Sequence, residues 1–160
     1  MKDTIEVIIE TLRGSSNKYK YDGKKNIYRL HNVLPAGFSF PYDFGFVDQT
    51  KGEDGDPLDV LLISREQTFT GCHLDCRIIG GIKAQQTYAG ETIRNDRFFA
   101  IPVCDKTYQH LHDIDDLSKD VIDKVNHFFI SYRKYENVDF VPLALLSADA
   151  VIKIIEDSRL

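Results

Sequence analysis

Asp54-Gly55-Asp56-Pro57-Leu58-Asp59-Val60 sets three carboxylates within six residues, directly ahead of the apolar run Val60-Leu61-Leu62-Ile63. Gly55 and Pro57 mark a turn that enters a strand rather than a solvated helix face. Three like charges this close repel one another unless solvent or a cation screens them. An acidic surface turn is the bland explanation. The third Asp and the adjoining buried strand instead favour a site for a hard divalent cation, whose ligands are oxygens. The spacing does not fit an EF-hand, which needs Gly where Asp59 stands and a bidentate Glu where Arg65 stands.

Outward from this run, strand signals fill the first two thirds of the chain. Thr4–Thr11 is rich in β-branched residues, and Lys18–Tyr21 alternates charged and aromatic side chains. Asn26–Val33 follows across the turn Asp22-Gly23-Lys24-Lys25, and further strands are expected near Phe44–Val47, Leu58–Ser64, His73–Gln85 and Arg97–Val103. Short strands so spaced predict a barrel or a strongly curved sheet. Leu117, Val121, Val125, Phe128 and Tyr132 recur at helical spacing after an Asp115-Asp116 start signal. Ser147 can cap a second helix carrying Val151, Ile154 and Ile155, with a strand over Asp139–Leu145 between the two. The reading is an α+β fold with its strands mostly first.

The 160 residues suit a single domain spanning 1–160, with no linker-like stretch. A net charge of −5 argues against nucleic-acid and membrane partners, both polyanionic. Lys18, Lys20, Lys24, Lys25 and Arg29 nevertheless make the first thirty residues locally basic. The stretch from Met1 to Glu6 lacks an apolar signal region, so a cytoplasmic location is expected. Cys72, Cys76 and Cys104 do not form a secreted disulfide pattern. A zinc site at Cys72, His73 and Cys76 lacks a second ligand pair, and packing on one strand face explains the two cysteines more simply. Walker A, G-x-G-x-x-G, nucleophile-elbow and H-E-x-x-H patterns are absent. His110-x-His112-Asp113 reads equally well as a polar loop, and His127 as a helix residue.

The remaining combination is a carboxylate cluster, several cations and a tyrosine-bearing helix. Metal ions neutralise phosphate oxygens and acidify a water, while Lys and Arg stabilise a departing phosphate. Here the sequence resembles the family I soluble inorganic pyrophosphatases. The D-G-D-P-L-D-V run matches that family's most specific signature. The similarity extends through Val7-Ile8-Ile9-Glu10, Asn17-Lys18-Tyr19-Lys20-Tyr21-Asp22, Phe40-Pro41-Tyr42-Asp43-Phe44-Gly45-Phe46, Thr70-Gly71, Arg77-Ile78-Ile79-Gly80 and His127-Phe128-Phe129-Ile130-Ser131-Tyr132.

The resemblance implies a five-stranded OB-like β-barrel flanked by two main helices, and hydrolysis of pyrophosphate to two orthophosphates with Mg2+, or Mn2+, as cofactor. It implies Asp54 and Asp59 as metal ligands, with Asn95 and Glu10 completing the metal network, and Asp56 as the general base. Lys18, Arg29 and Tyr132 match phosphate-binding positions that also serve catalysis. Arg97, Arg133 and Lys20 join them as substrate-binding cations. A homo-oligomer, a hexamer as in bacterial members of similar length, is also implied.

Several positions depart from the family pattern. Lys20 stands where the family's K-Y-E segment has a glutamate. Phe44 and Phe40 replace tyrosines, and Arg133 and Arg97 replace lysines. Between Tyr88 and Arg97, where the family has acidic residues, Tyr88 and Asn95 take their places in a segment about two residues longer. Asp96, one step along a strand from Asn95, is expected to aim away, while Glu91 has the freedom of a loop. Lys20 is read as taking over part of a metal's charge against phosphate. The competing readings are a weakly active or inactive paralogue that binds phosphate or a phosphorylated ligand, and an OB-type nucleic-acid module.

Overall fold

The computed structural model describes residues 4–160; residues 1–3, part of the stretch read as lacking a signal region, lie outside it. Among the described residues nine strands and two α-helices follow one another: β1 (Thr4–Thr11), β2 (Asn17–Asp22), β3 (Ile27–Val33), β4 (Asp43–Val47), β5 (Asp59–Leu62), β6 (His73–Tyr88), β7 (Glu91–Arg94), β8 (Arg97–Pro102), α1 (Lys119–Tyr135), β9 (Asp139–Leu146) and α2 (Ala148–Asp157). Strands pair in the order β1-β4-β5-β8-β6, and β6 returns to pair with β1. These five strands form a closed ring with two flanking helices, as the OB-like expectation requires. β7 and β9 extend the sheet on the far half of β6, and β2 and β3 form a separate hairpin.

Ring closure depends on β6 being long enough to serve several neighbours in turn. Its first residues pair with β1, its middle with β8 and its last part with β9 and β7. It changes partner at Gly80, where the register against β8 shifts. A Cβ at Gly80 would lie 2.7 Å from both Ile114 Cβ and Leu146 O, and the residue has φ +143°. Only glycine accommodates that approach.

Ring strands are apolar on both faces, and their period of two divides them between two cores. Val60, Leu62, Phe98 and Ala100 pack with Val151 and Ile155 of α2. Their neighbours Leu61, Phe99 and Ile101 pack with Val125, Phe128 and Phe129 of α1. Ser147 caps α2 as expected, its hydroxyl accepting from Ala150 N at 3.2 Å. The start of α1 differs from the sequence reading. Asp115 and Asp116 belong to a short 3-10 turn, Ile114–Asp116, capped by Asp113, and Ser118 caps the helix itself. Two Asp residues in the first turn satisfy the same start rule in either helix type, so the acidic signal alone does not separate them.

Candidate active site

The acidic turn is held by its own chemistry. Gly55 adopts φ +85°, and Asp54 Oδ1 accepts from Asp56 N at 3.0 Å, an Asx-type turn that Pro57 then leaves. Asp59 opens β5 and lies opposite Arg97, which opens β8, in the parallel register. That register brings Arg97 Nη1 to 2.8 Å from Asp59 Oδ2. Arg97 also donates to Asn95 Oδ1 at 2.7 Å and lies over the Phe129 ring, 4.5 Å from its centroid.

Glu10, on β1, is buried, and its Oε2 accepts from Tyr21 N at 2.8 Å. Lys18 and Lys20 project from β2 into the same cleft, and Lys20 Nζ reaches Asp56 Oδ2 at 2.8 Å. Helix α1 supplies Phe129, Tyr132 and Arg133, spaced i, i+3 and i+4 and so on one face. An aromatic cluster fixes that face: Phe128 stacks on Tyr132 with centroids 5.5 Å apart, and Phe40 lies 4.9 Å from Phe128. The cleft encloses about 260 Å³, room for a small polyanion rather than a large organic molecule.

Of the residues singled out in the sequence, Glu10, Lys18, Lys20, Asp54, Asp56, Asp59, Asn95, Arg97, Tyr132 and Arg133 line this one cleft. Arg29 does not. It is exposed on β3, paired in register with Lys20, beside the lining rather than within it. Tyr88 sits at the exposed tip of the β6–β7 hairpin, next to a groove formed with Glu91 and Arg133. The cleft position on β6 belongs to Gln86, whose Oε1 accepts from Asn95 Nδ2 at 3.0 Å. Ala89 at φ +51° and Gly90 at φ +81° make the two-residue turn that sets this register. Asp96 lies in the two-residue link between β7 and β8 and is absent from this lining, its carboxylate accepting from Ala84 N at 3.0 Å and pairing with Arg94.

Burial dominates the electrostatics. It raises Glu10 to about 7 and lowers Lys18 to about 8, the latter helped by repulsion from Arg133 and Arg97. It also raises Asp54 and Asp59, with the Arg97 charge pulling each back. For Lys20 burial acts downward, but the hydrogen bond and charge of Asp56 outweigh it and the net shift is upward. Three buried side-chain nitrogens or oxygens on cleft residues have no hydrogen-bond partner among the described residues: Tyr132 Oη, Arg133 Nε and Arg97 Nε. All can donate, and an anion rich in acceptor oxygens is their complement.

Among the described residues no group of three or more His, Cys, Asp or Glu converges on a point where they would cage a metal. Asp54 is nonetheless close enough to Asp59 to raise its pKa. This donor set fits a hard cation of the Mg2+ kind, which is commonly held by one or two carboxylates together with water and substrate phosphate.

A ring of five strands with a phosphate-sized cleft edged by carboxylates and cations defines a site for a metal-assisted phosphoanhydride reaction. Comparison with known proteins narrows the class. The family model for inorganic pyrophosphatase matches residues 7–159, and the chain belongs to that family. An inorganic pyrophosphatase of Synechocystis sp. is 35% identical over 153 residues, 96% of this chain and 88% of that protein. One from Haloferax volcanii is 37% identical over 134 residues, 84% and 73% of the two chains. Among solved structures, the inorganic pyrophosphatase of Helicobacter pylori superposes with a TM-score of 0.90 at 30% identity, covering 99% of this chain and 92% of the other. That of Thermus thermophilus also gives 0.90, at 26% identity, covering 98% and 89%.

Proposed function

We propose that this chain hydrolyses inorganic pyrophosphate to two orthophosphates. The reading rests above all on the three unpaired donors of Tyr132, Arg133 and Arg97 in a cleft edged by Asp54, Asp56 and Asp59. Asp54 and Asp59 would hold a divalent cation, Mg2+ with Mn2+ as substitute, with Asn95 and Glu10 adding oxygens. Such a cation supplies neutralisation of phosphate oxygens and a more acidic water. Lys18, Arg133 and Tyr132 bind and orient the phosphates, with Arg97 beneath them and Arg29 and Lys20 at the side. Asp56, half exposed at the cleft, takes a proton from the water that adds to phosphorus. The P–O–P bond breaks as the P–OH bond forms, and the leaving phosphate departs with its charge spread toward Lys18 and Arg133.

The test is orthophosphate release from pyrophosphate with Mg2+ by wild type and Asp56→Asn. Release by wild type and a loss of about 10²–10⁴-fold in the folded variant are expected. Equal rates would remove Asp56 from the mechanism, and no release with any divalent ion would remove the activity. The family match across residues 7–159 weighs against the binding-only paralogue.

Two further attributes belong to this reading. Assembly into a homo-oligomer, a hexamer, is consistent with the outward apolar row Val141, Leu143 and Leu145 on β9, and light scattering tests it. A cytoplasmic setting is consistent with three free cysteines. Among the described residues no helix is long and apolar enough to cross a membrane.

A further inference from the structure

We propose that Lys20 is a fixed counter-ion of the catalytic cleft, occupying with its ammonium part of the space and charge that a divalent cation would otherwise take beside Asp56. The inference builds on the pyrophosphatase reading. It goes beyond that reading by assigning this chain a reduced complement of divalent ions.

Charge balance carries the first part. Glu10, Asp54, Asp56 and Asp59 supply the carboxylates of the cleft, and Lys18, Lys20, Arg97 and Arg133 supply as many cations. Counted as formal charges, the two signs are equal before any ligand enters. Cations gather where carboxylates are in excess, and each opposite charge already present weakens their hold.

Geometry carries the second. Two of the four cations are paired with acids of the turn: Lys20 Nζ lies 2.8 Å from Asp56 Oδ2, and Arg97 Nη1 lies 2.8 Å from Asp59 Oδ2. Gln86 and Asn95 face the same cleft and bond each other through neutral amides. The Lys20–Asp56 pair is 40% and 49% exposed at its two side chains, a setting in which a salt bridge adds little to stability. Its consequence is therefore local. An ammonium on a four-carbon stem offsets one negative charge at the mouth of the acidic turn, in contact with Asp56.

The test counts Mn2+ bound per chain, by the electron paramagnetic resonance signal of the free ion, in substrate-free wild type, Lys20→Met and Lys20→Glu. Lys20→Met keeps the stem and removes the charge, and is expected to bind Mn2+ at least about tenfold more tightly. Lys20→Glu is expected to bind one additional ion. Circular dichroism and urea midpoints establish that all three proteins are folded. A Lys20→Met isotherm that superimposes on wild type overturns the proposal. Pyrophosphate hydrolysis by wild type is measured separately: failure there refutes the activity, whereas active wild type with unchanged Mn2+ binding in Lys20→Met refutes the counter-ion alone.

Discussion

Arg97→Met is the substitution with the largest consequence that the structure allows to be worked through. Arg97 is 4% exposed, and its guanidinium bonds Asp59, the Asn95 carbonyl and side chain, and the Asp96 carbonyl. Methionine preserves the packing against Phe129 but leaves Asp59, 17% exposed at its side chain, without its counter-charge. Removing one partner of a buried pair costs about 3–5 kcal/mol, a large share of the roughly 5–15 kcal/mol that holds a typical domain together. For a chain of this length that corresponds to a fall in Tm of about 6–20 °C.

The loss has a pH signature. Burial already raises the folded Asp59 pKa while Arg97 pulls it back, so removing Arg97 raises it further. A carboxyl raised on folding binds more protons in the native state, and its stability contribution falls as pH climbs from the usual carboxylate range through the folded pKa. The deficit in urea unfolding, followed with EDTA present, is therefore larger at pH 8 than at pH 5. Arg97→Met combined with Asp59→Leu recovers at least half of it, since a well-packed apolar pair can replace a buried ion pair. A deficit below about 1 kcal/mol at pH 8, or no recovery in the double variant, refutes the account.

Lys18, lowered to about 8 by burial, loses its charge in mildly alkaline solution. With Mg2+ saturating, KM for pyrophosphate should rise above pH 8 by up to about tenfold per unit, and Lys18→Arg should abolish that break because a guanidinium stays charged. An unchanged break in Lys18→Arg assigns it to another group. Gly45→Ala tests the ring itself: a Cβ there would meet Ile8 O at 2.1 Å, backbone that cannot step aside. A Tm lower by about 2–12 °C is expected, from about 1–3 kcal/mol of overpacking, and an unchanged Tm contradicts the β1–β4 approach.

Most of the fold was legible because its signals are local. The β-branched run at Thr4–Thr11 is β1 to the residue, and the capping serine at 147 starts α2. Asp139–Leu145 is β9 less one terminal residue. Ring closure was not legible as a pairing pattern, because β1 meeting β6 is a contact between residues about seventy apart that no window of sequence displays. In the site, the acidic turn and both ion-paired cations were readable from charge and motif. Gln86 was not. Its place depends on where the β6–β7 hairpin turns, and Ala89-Gly90 is a weaker turn signal than Asn-Gly. Counting back from that turn exchanges Tyr88 for Gln86 in the cleft. Arg29 shows the same limit, since opposition to Lys20 fixes its register but not how far its side chain lies from the substrate.

The ring that β6 closes also has a history in time. β5 ends at Leu62, and its parallel neighbour β8 is complete only at Pro102. During synthesis at about 5–20 residues per second, roughly two to eight seconds separate those points. Throughout that interval β5 has an open edge, and the apolar faces that α1 will cover have not yet met their helix. The Asp59–Arg97 ion pair cannot form until Arg97, at the start of the last ring strand, has been made, whereas Lys20 and Asp56 are both already present. The nascent chain thus passes through this open-edged stage with its acidic turn exposed, and the like charges of that turn help to keep neighbouring chains apart.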